Sequence, residues 1–123
     1  YGMRIAPTYV QVHRPYYKKA KGYSDQMRQA ARYVESHDWD RAIPEWESIE
    51  NLGKGNGDRK AAGRAAYNLA VAAEMQGDLD RALEWAKISW EQYGNKKGRG
   101  YIQTLLQRQS DDARAADQMN KKV

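Results

Sequence analysis

A five-residue phrase occurs twice in this chain, forty positions apart. Asp38-Trp39-Asp40-Arg41-Ala42 returns as Asp78-Leu79-Asp80-Arg81-Ala82. The same offset lays Ala30 on Ala70, Met27 on Tyr67, Val34 on Glu74 and His37 on Gly77. A period of this size means that one supersecondary unit is used more than once, which constrains the fold more tightly than composition does. In the first copy Met27, Ala30, Ala31, Tyr33 and Val34 form one helical stripe, and Ile43, Trp46, Ile49 and Leu52 form a second. In the second copy the stripes are Ala66, Leu69, Ala70 and Ala73, then Leu79, Ala82, Leu83, Ala86 and Trp90. Each copy therefore reads as two helices joined by a tight polar turn. The small residues Ala30, Ala42, Ala70 and Ala82 let paired helices approach, while Tyr33, Trp46, Trp85 and Trp90 fill the space between layers.

The turns carry their own chemistry. Asp38 and Asp78, or Asp40 and Asp80, can cap the second helix of each pair and place negative charge at its N-terminus. Gly77 is expected to adopt a left-handed conformation, and His37 occupies the equivalent slot. Pro44 is expected near the first turn of its helix, where a missing N–H costs least. Gly53-Lys54-Gly55-Asn56-Gly57 reads as a flexible connection, followed by Asp58 as a cap. It lacks the GxxxxGK[ST] spacing and the preceding strand of a phosphate loop. After the second copy, Asn95 is a candidate cap, and Tyr101, Ile102, Leu105 and Leu106 form a stripe that turns polar from Gln107 onward. That pattern predicts one terminal helix from about Lys97 to Gln118, covering the last repeat on one side.

Charge divides the chain. There are 21 Lys+Arg and 16 Asp+Glu in 123 residues, a formal net charge of +5. Residues 1–22 hold Arg4, Arg14, Lys18, Lys19 and Lys21 with no acid, so the remainder is neutral. A nucleic-acid-binding domain normally carries its excess on a folded face, so no nucleic-acid partner is expected; a basic-arm binder stays a remote alternative. The arm is rich in β-branched and aromatic residues from Met3 to Arg14, which suits a short extended strand. A lone strand cannot pair its own backbone, so the arm is expected to end an upstream region of a longer protein.

Catalytic readings find little support. There is no cysteine, which removes disulfides, thiol chemistry and Cys-ligated metals. His13 and His37 stand in the arm and a turn, without metal-ligand spacing. Glu45, Glu47, Glu50, Glu74, Glu84 and Glu91 read as solvated helix faces, with Arg41, Lys54 and Lys87 at helical spacing from Glu45, Glu50 and Glu84. No GxSxG elbow is present. The expectation is a non-enzymatic chain with no cofactor and no metal. No apolar run is long enough for a membrane span.

The stretch Ala66-Tyr67-Asn68-Leu69-Ala70, then Val71-Ala72-Ala73, Glu74-Met75-Gln76-Gly77 and Asp78 to Ala86, resembles the tetratricopeptide repeat. Ala70 and Ala82 match its small helix-contact positions, and Gly77 matches its turn glycine. Copy one matches through Ala30, Tyr33, Ala42 and Trp46, departing at His37 and Pro44. The family period is 34, so about six residues are inserted between the copies, over Gly53 to Asp58. The resemblance implies an all-α fold of tetratricopeptide-like antiparallel hairpins in right-handed pairs. The expected layout is an extended arm over 1–22, repeat one over 23–54, repeat two over 58–94 and a terminal capping helix over 96–119. Ile5-Ala6-Pro7, Tyr9-Val10 and Arg14-Pro15-Tyr16-Tyr17 ahead of such a pair also resemble the C-terminal half of uncharacterised lipoproteins of Bacteroides-like bacteria. That second resemblance implies a β-rich upstream part and a periplasmic or surface address.

In such arrays the first helices line a concave groove that takes peptide segments. The resemblance places Met27, Ala31, Val34 and Glu35 of copy one there, with Arg64, Tyr67, Asn68, Val71, Glu74 and Met75 of copy two. Asn68 matches an asparagine that some family members use to hold a peptide backbone or terminal carboxylate. The complete carboxylate clamp also needs basic residues and a second asparagine in copy one, where Met27 and Ala31 stand instead. Two functions follow as expectations: an interaction module for a protein or peptide segment, or a support domain whose groove is covered by its own upstream part or by the terminal helix.

Overall fold

The computed structural model describes residues 13–121, which are 80% helical and contain five α-helices and no strand. These are α1 (Ser24–Glu35), α2 (Trp39–Asn56), α3 (Arg59–Met75), α4 (Leu79–Lys87) and α5 (Lys96–Lys121). Connections of two or three residues join α1 through α4, so each helix doubles back along its predecessor and packs on it. The strand expected around Met3 to Arg14 falls almost wholly outside the described residues.

The two inner turns of the forty-residue period share one geometry. His37 has φ 58° and Gly77 φ 81°, and the Oδ1 atoms of Asp38 and Asp78 accept from Arg41 N and Arg81 N at 3.2 and 3.0 Å. The first aspartate of each phrase is thus the cap, satisfying an N–H that the helix itself cannot. One expectation changes as a result. With Asp38 as cap, Pro44 lies inside α2, beyond its first turn, and the helix forgoes one backbone hydrogen bond there.

The glycine-rich connection is also corrected. Gly53, Lys54, Gly55 and Asn56 belong to α2, and the turn is reduced to Gly57, with φ 72°, and the cap Asp58. The inserted length therefore extends a helix rather than a loop. The reason is proximity: a Cβ on Gly53 would stand 3.0 Å from the Asp58 carbonyl oxygen and 3.1 Å from Ala62 N. Glycine is what lets α3 start this close to α2, and that packing outweighs its poor helix propensity. Gly53→Ala should cost about 1–3 kcal/mol in urea unfolding; a change below measurement error would show that α3 can shift to make room.

α3 is the central element. Twelve of its seventeen residues are buried, among them seven alanines, because it is covered on nearly all sides. On one side Ala61, Ala65, Leu69 and Ala72 join Met27, Ala30, Ala42, Trp46 and Ile49. On another, Ala70, Val71 and Ala73 join Ala82, Ala86, Tyr101, Ile102 and Leu105.

α4 ends in a π-helical turn, Ile88–Gln92, in which Tyr93 N–H reaches back five residues to the Ile88 carbonyl at 3.3 Å. That turn brings Ser89 against α3, where its Oγ donates to the Gly63 carbonyl at 2.7 Å. It also fixes Asn95, whose Nδ2 donates to Ser89 Oγ at 3.0 Å.

Candidate functional site

A carboxylate and an amide on α3 face a trough that holds the chain's own residues 13–20, here called the strap. Asn68 is fully buried. Its Oδ1 accepts from Tyr17 N and its Nδ2 donates to the Tyr17 carbonyl, both at 2.7 Å. One side chain thereby satisfies both backbone groups of a residue in the strap, as a neighbouring β-strand would. Six residues further along α3, Glu74 accepts from Arg14 Nε at 2.9 Å and from Arg14 Nη2 at 3.1 Å. In the other direction, Arg64 Nη1 donates to the Lys19 carbonyl at 2.9 Å.

The register follows from the two rises. Six residues of α-helix advance about 9 Å, and three residues of extended chain advance about 10 Å. Arg14 and Tyr17 therefore meet Glu74 and Asn68 without bending the strap, which runs antiparallel to α3. Neighbouring side chains of an extended segment point to opposite sides. Tyr16 enters the core, with its ring centroid 6.2 Å from Trp39 and 5.9 Å from Trp46. Tyr17 turns the other way, edge-on to Tyr67 at 5.3 Å, with its hydroxyl donating to Asn95 Oδ1 at 3.3 Å. Ala20 closes the strap, buried in the first core cluster.

Glu74 is the electrostatic centre. Besides Arg14, it accepts from Arg108 Nη1 at 2.7 Å and from the Tyr101 hydroxyl at 2.5 Å. Burial alone would raise its pKa, but the hydrogen bonds from Arg14, Tyr101 and Arg108 outweigh it and hold the carboxyl below its usual range. Burial, then the Glu74 hydrogen bond, pushes the Tyr101 phenol up, so it stays a donor. Both carboxylate oxygens are saturated by donors and the group stays ionised, so this carboxylate ties strap, α3 and α5 together and has no proton to give.

The candidates from the sequence divide accordingly. Arg64, Tyr67, Asn68 and Glu74 meet the strap. Met27 and Val71 are fully buried in clusters against which Tyr16 packs, and Met75 and Val34 pack on the core. The strap fills the part of the expected groove that lies over Asn68 and Glu74. Ala31, Glu35 and Arg64 line a part left open, a cleft bounded by strap residues Lys18, Lys19 and Ala20.

Three acidic expectations are corrected. Glu74 is a buried ionic centre instead of a solvated residue. Glu50 accepts from the Tyr93 hydroxyl instead of pairing with Lys54. Arg41 pairs with Asp38 at 3.2 Å instead of Glu45. Sequence reasoning missed Arg14, Tyr101 and Arg108 as partners of Glu74. One signal was available: Glu74 stands in the last turn of an alanine-rich helix, at the position where copy one carries the apolar Val34.

Among the described residues no group of three or more His, Asp or Glu is placed to hold a metal ion, and no helix is long and apolar enough to cross a membrane. A family model described as a domain of unknown function (DUF6340) matches residues 28–121, most of the chain, and the chain belongs to that family. No curated protein and no solved structure matches it.

Proposed function

We propose that this domain is a non-catalytic helical clamp for extended polypeptide, and that the segment it holds is its own strap. On this reading it is a support domain, anchoring the stretch of chain that leads into it. The carrying observation is the closed pair of hydrogen bonds between Asn68 and the Tyr17 backbone. Backbone recognition by a buried amide is how a groove holds an extended chain, with side-chain pockets adding specificity. The Arg14–Glu74 pair and the Tyr16 wedge supply that second part. The repeated hairpin turns support a tetratricopeptide-like origin for the groove, and a β-rich upstream part of a lipoprotein is the kind of neighbour that would need such an anchor.

Amide hydrogen exchange on the full chain tests this. Tyr17 N–H should be protected, and Asn68→Ala should cut its protection by about tenfold or more while amides of α4 keep theirs. An unprotected Tyr17 in the unaltered chain would overturn the support reading. It would favour instead an interaction module whose groove exchanges its strap for an outside peptide.

A further inference from the structure

We infer that the cleft between residues 18–21 and α1 is a binding site for a compact oxyanion carrying clustered phosphate groups. The cleft encloses about 750 Å³, within the range of small-molecule sites. Its walls bring together Lys18, Lys19 and Lys21 from the strap side, Arg28 and Arg32 from α1, and Arg64 from α3, with Glu35 as the single carboxylate. Five of these six side chains are exposed and Arg64 is half-buried, so solvent screens much of their mutual repulsion, but around one cleft they sum to a positive field that attracts an anion. The chain's own groups offset little of this charge: Lys18 sits over the Tyr16 ring at 5.6 Å and Arg64 donates to the Lys19 carbonyl, contacts that bring no negative charge to the cleft. Arg28 has an exposed (i, i+3) pair with Asp25, a geometry worth a few tenths of a kcal/mol at most. Arg32 donates to the uncharged amide of Gln29. Lys19 and Lys21 make no ion pair among the described residues.

The lining also says what the ligand lacks. No aromatic ring lines the cleft, and the nearby Tyr17 ring already carries Arg64 at 4.9 Å and Lys97 at 5.4 Å. A stacking platform for bases is therefore missing, which disfavours single-stranded nucleic acid. A small space with this excess of cations calls for high charge density, and arginine forks match phosphate oxygens in pairs. The charge split of the linear sequence concealed this site, because half its cations come from the arm and half from the neutral body.

Calorimetric titration of the full chain with inorganic tripolyphosphate tests the inference, with Asn68 and Glu74 left intact so that failure here leaves the clamp reading untouched. Binding should weaken steeply with added salt. Lys21→Ser with Arg32→Ser should weaken it at least about tenfold, Arg28→Ser alone should weaken it less, and Arg81→Ser, away from the cleft, should leave it unchanged. In a parallel arm, vesicles of phosphatidylcholine doped with a phosphatidylinositol bisphosphate, whose headgroup clusters phosphates, replace tripolyphosphate. Capture by vesicles that the double variant abolishes assigns the phosphates to a lipid headgroup, and binding of tripolyphosphate alone assigns them to a soluble ligand; either outcome supports the site. Absence of both, undiminished affinity in the double variant, or oligothymidylate binding that tripolyphosphate does not displace would overturn it.

Discussion

Glu74→Ala should destabilise the domain by about 3 kcal/mol in urea unfolding, toward the low end for breaking a buried ion pair. The cause is less the loss of attraction than what is left behind. Arg14 and Arg108, with side chains 26% and 31% exposed, would face each other across an empty site, and the Tyr101 hydroxyl would lose its acceptor. Partial hydration of the two guanidiniums keeps the cost from going higher. Acid should reproduce part of this effect. The native carboxyl titrates below its unfolded value, so its contribution is complete above the unfolded pKa of about 4.3 and disappears as pH falls through the depressed native value. Glu74→Gln should accordingly unfold at lower denaturant than the parent at neutral pH and show a shallower acid limb. Unfolding curves from pH 7 to the acid limb check both points. A loss under about 1 kcal/mol for the alanine variant would mean that the strap is held by Asn68, Arg64 and packing, with no net contribution from the ionic centre.

Trp46 is the other position where a single change should act strongly, and there two substitutions separate packing from polarity. The ring is fully buried, touching Tyr16 and Trp39 at centroid distances of 5.9 and 6.3 Å. Trp46→Ala should cost about 3–5 kcal/mol, from lost transfer energy and the cavity left among α1, α2, α3 and the strap. Its indole N–H, however, has no hydrogen-bond partner among the described residues. An unsatisfied buried donor costs about 1–3 kcal/mol, so Trp46→Phe removes that penalty while vacating only part of the volume. The phenylalanine variant should therefore lie within about 1 kcal/mol of the parent. A cost for it close to that of alanine would show that ring size, with no offset from the N–H, decides stability at this point.

The helices were legible because their signals are local. The doubled Asp-X-Asp-Arg-Ala phrase, the apolar stripes and the glycine at Gly77 each depend on neighbours within a few residues, and His37 takes the same left-handed turn as Gly77. Where the reading of Gly53 to Asn56 went astray, a longer-range contact was responsible. Glycines disfavour helix on their own, and only the approach of Ala62 shows why they stand inside one. Of the site, the α3 half was marked by the family resemblance, which put Arg64, Tyr67, Asn68 and Glu74 among the groove positions. Its complement was hidden, because Arg14 lies sixty residues from Glu74 and Arg108 thirty-four.

The linear chain by itself determined that this protein is all-α, where its inner turns fall, and that it lacks cysteine chemistry. Those properties are set by residue type and by spacings of three or four positions. Tertiary structure alone decided what fills the groove and where the positive charge collects. An extended strap gains nothing until α3 offers Asn68 and Glu74 at a matching rise, and cations from the arm, α1 and α3 come to line one cleft only when the fold brings them together.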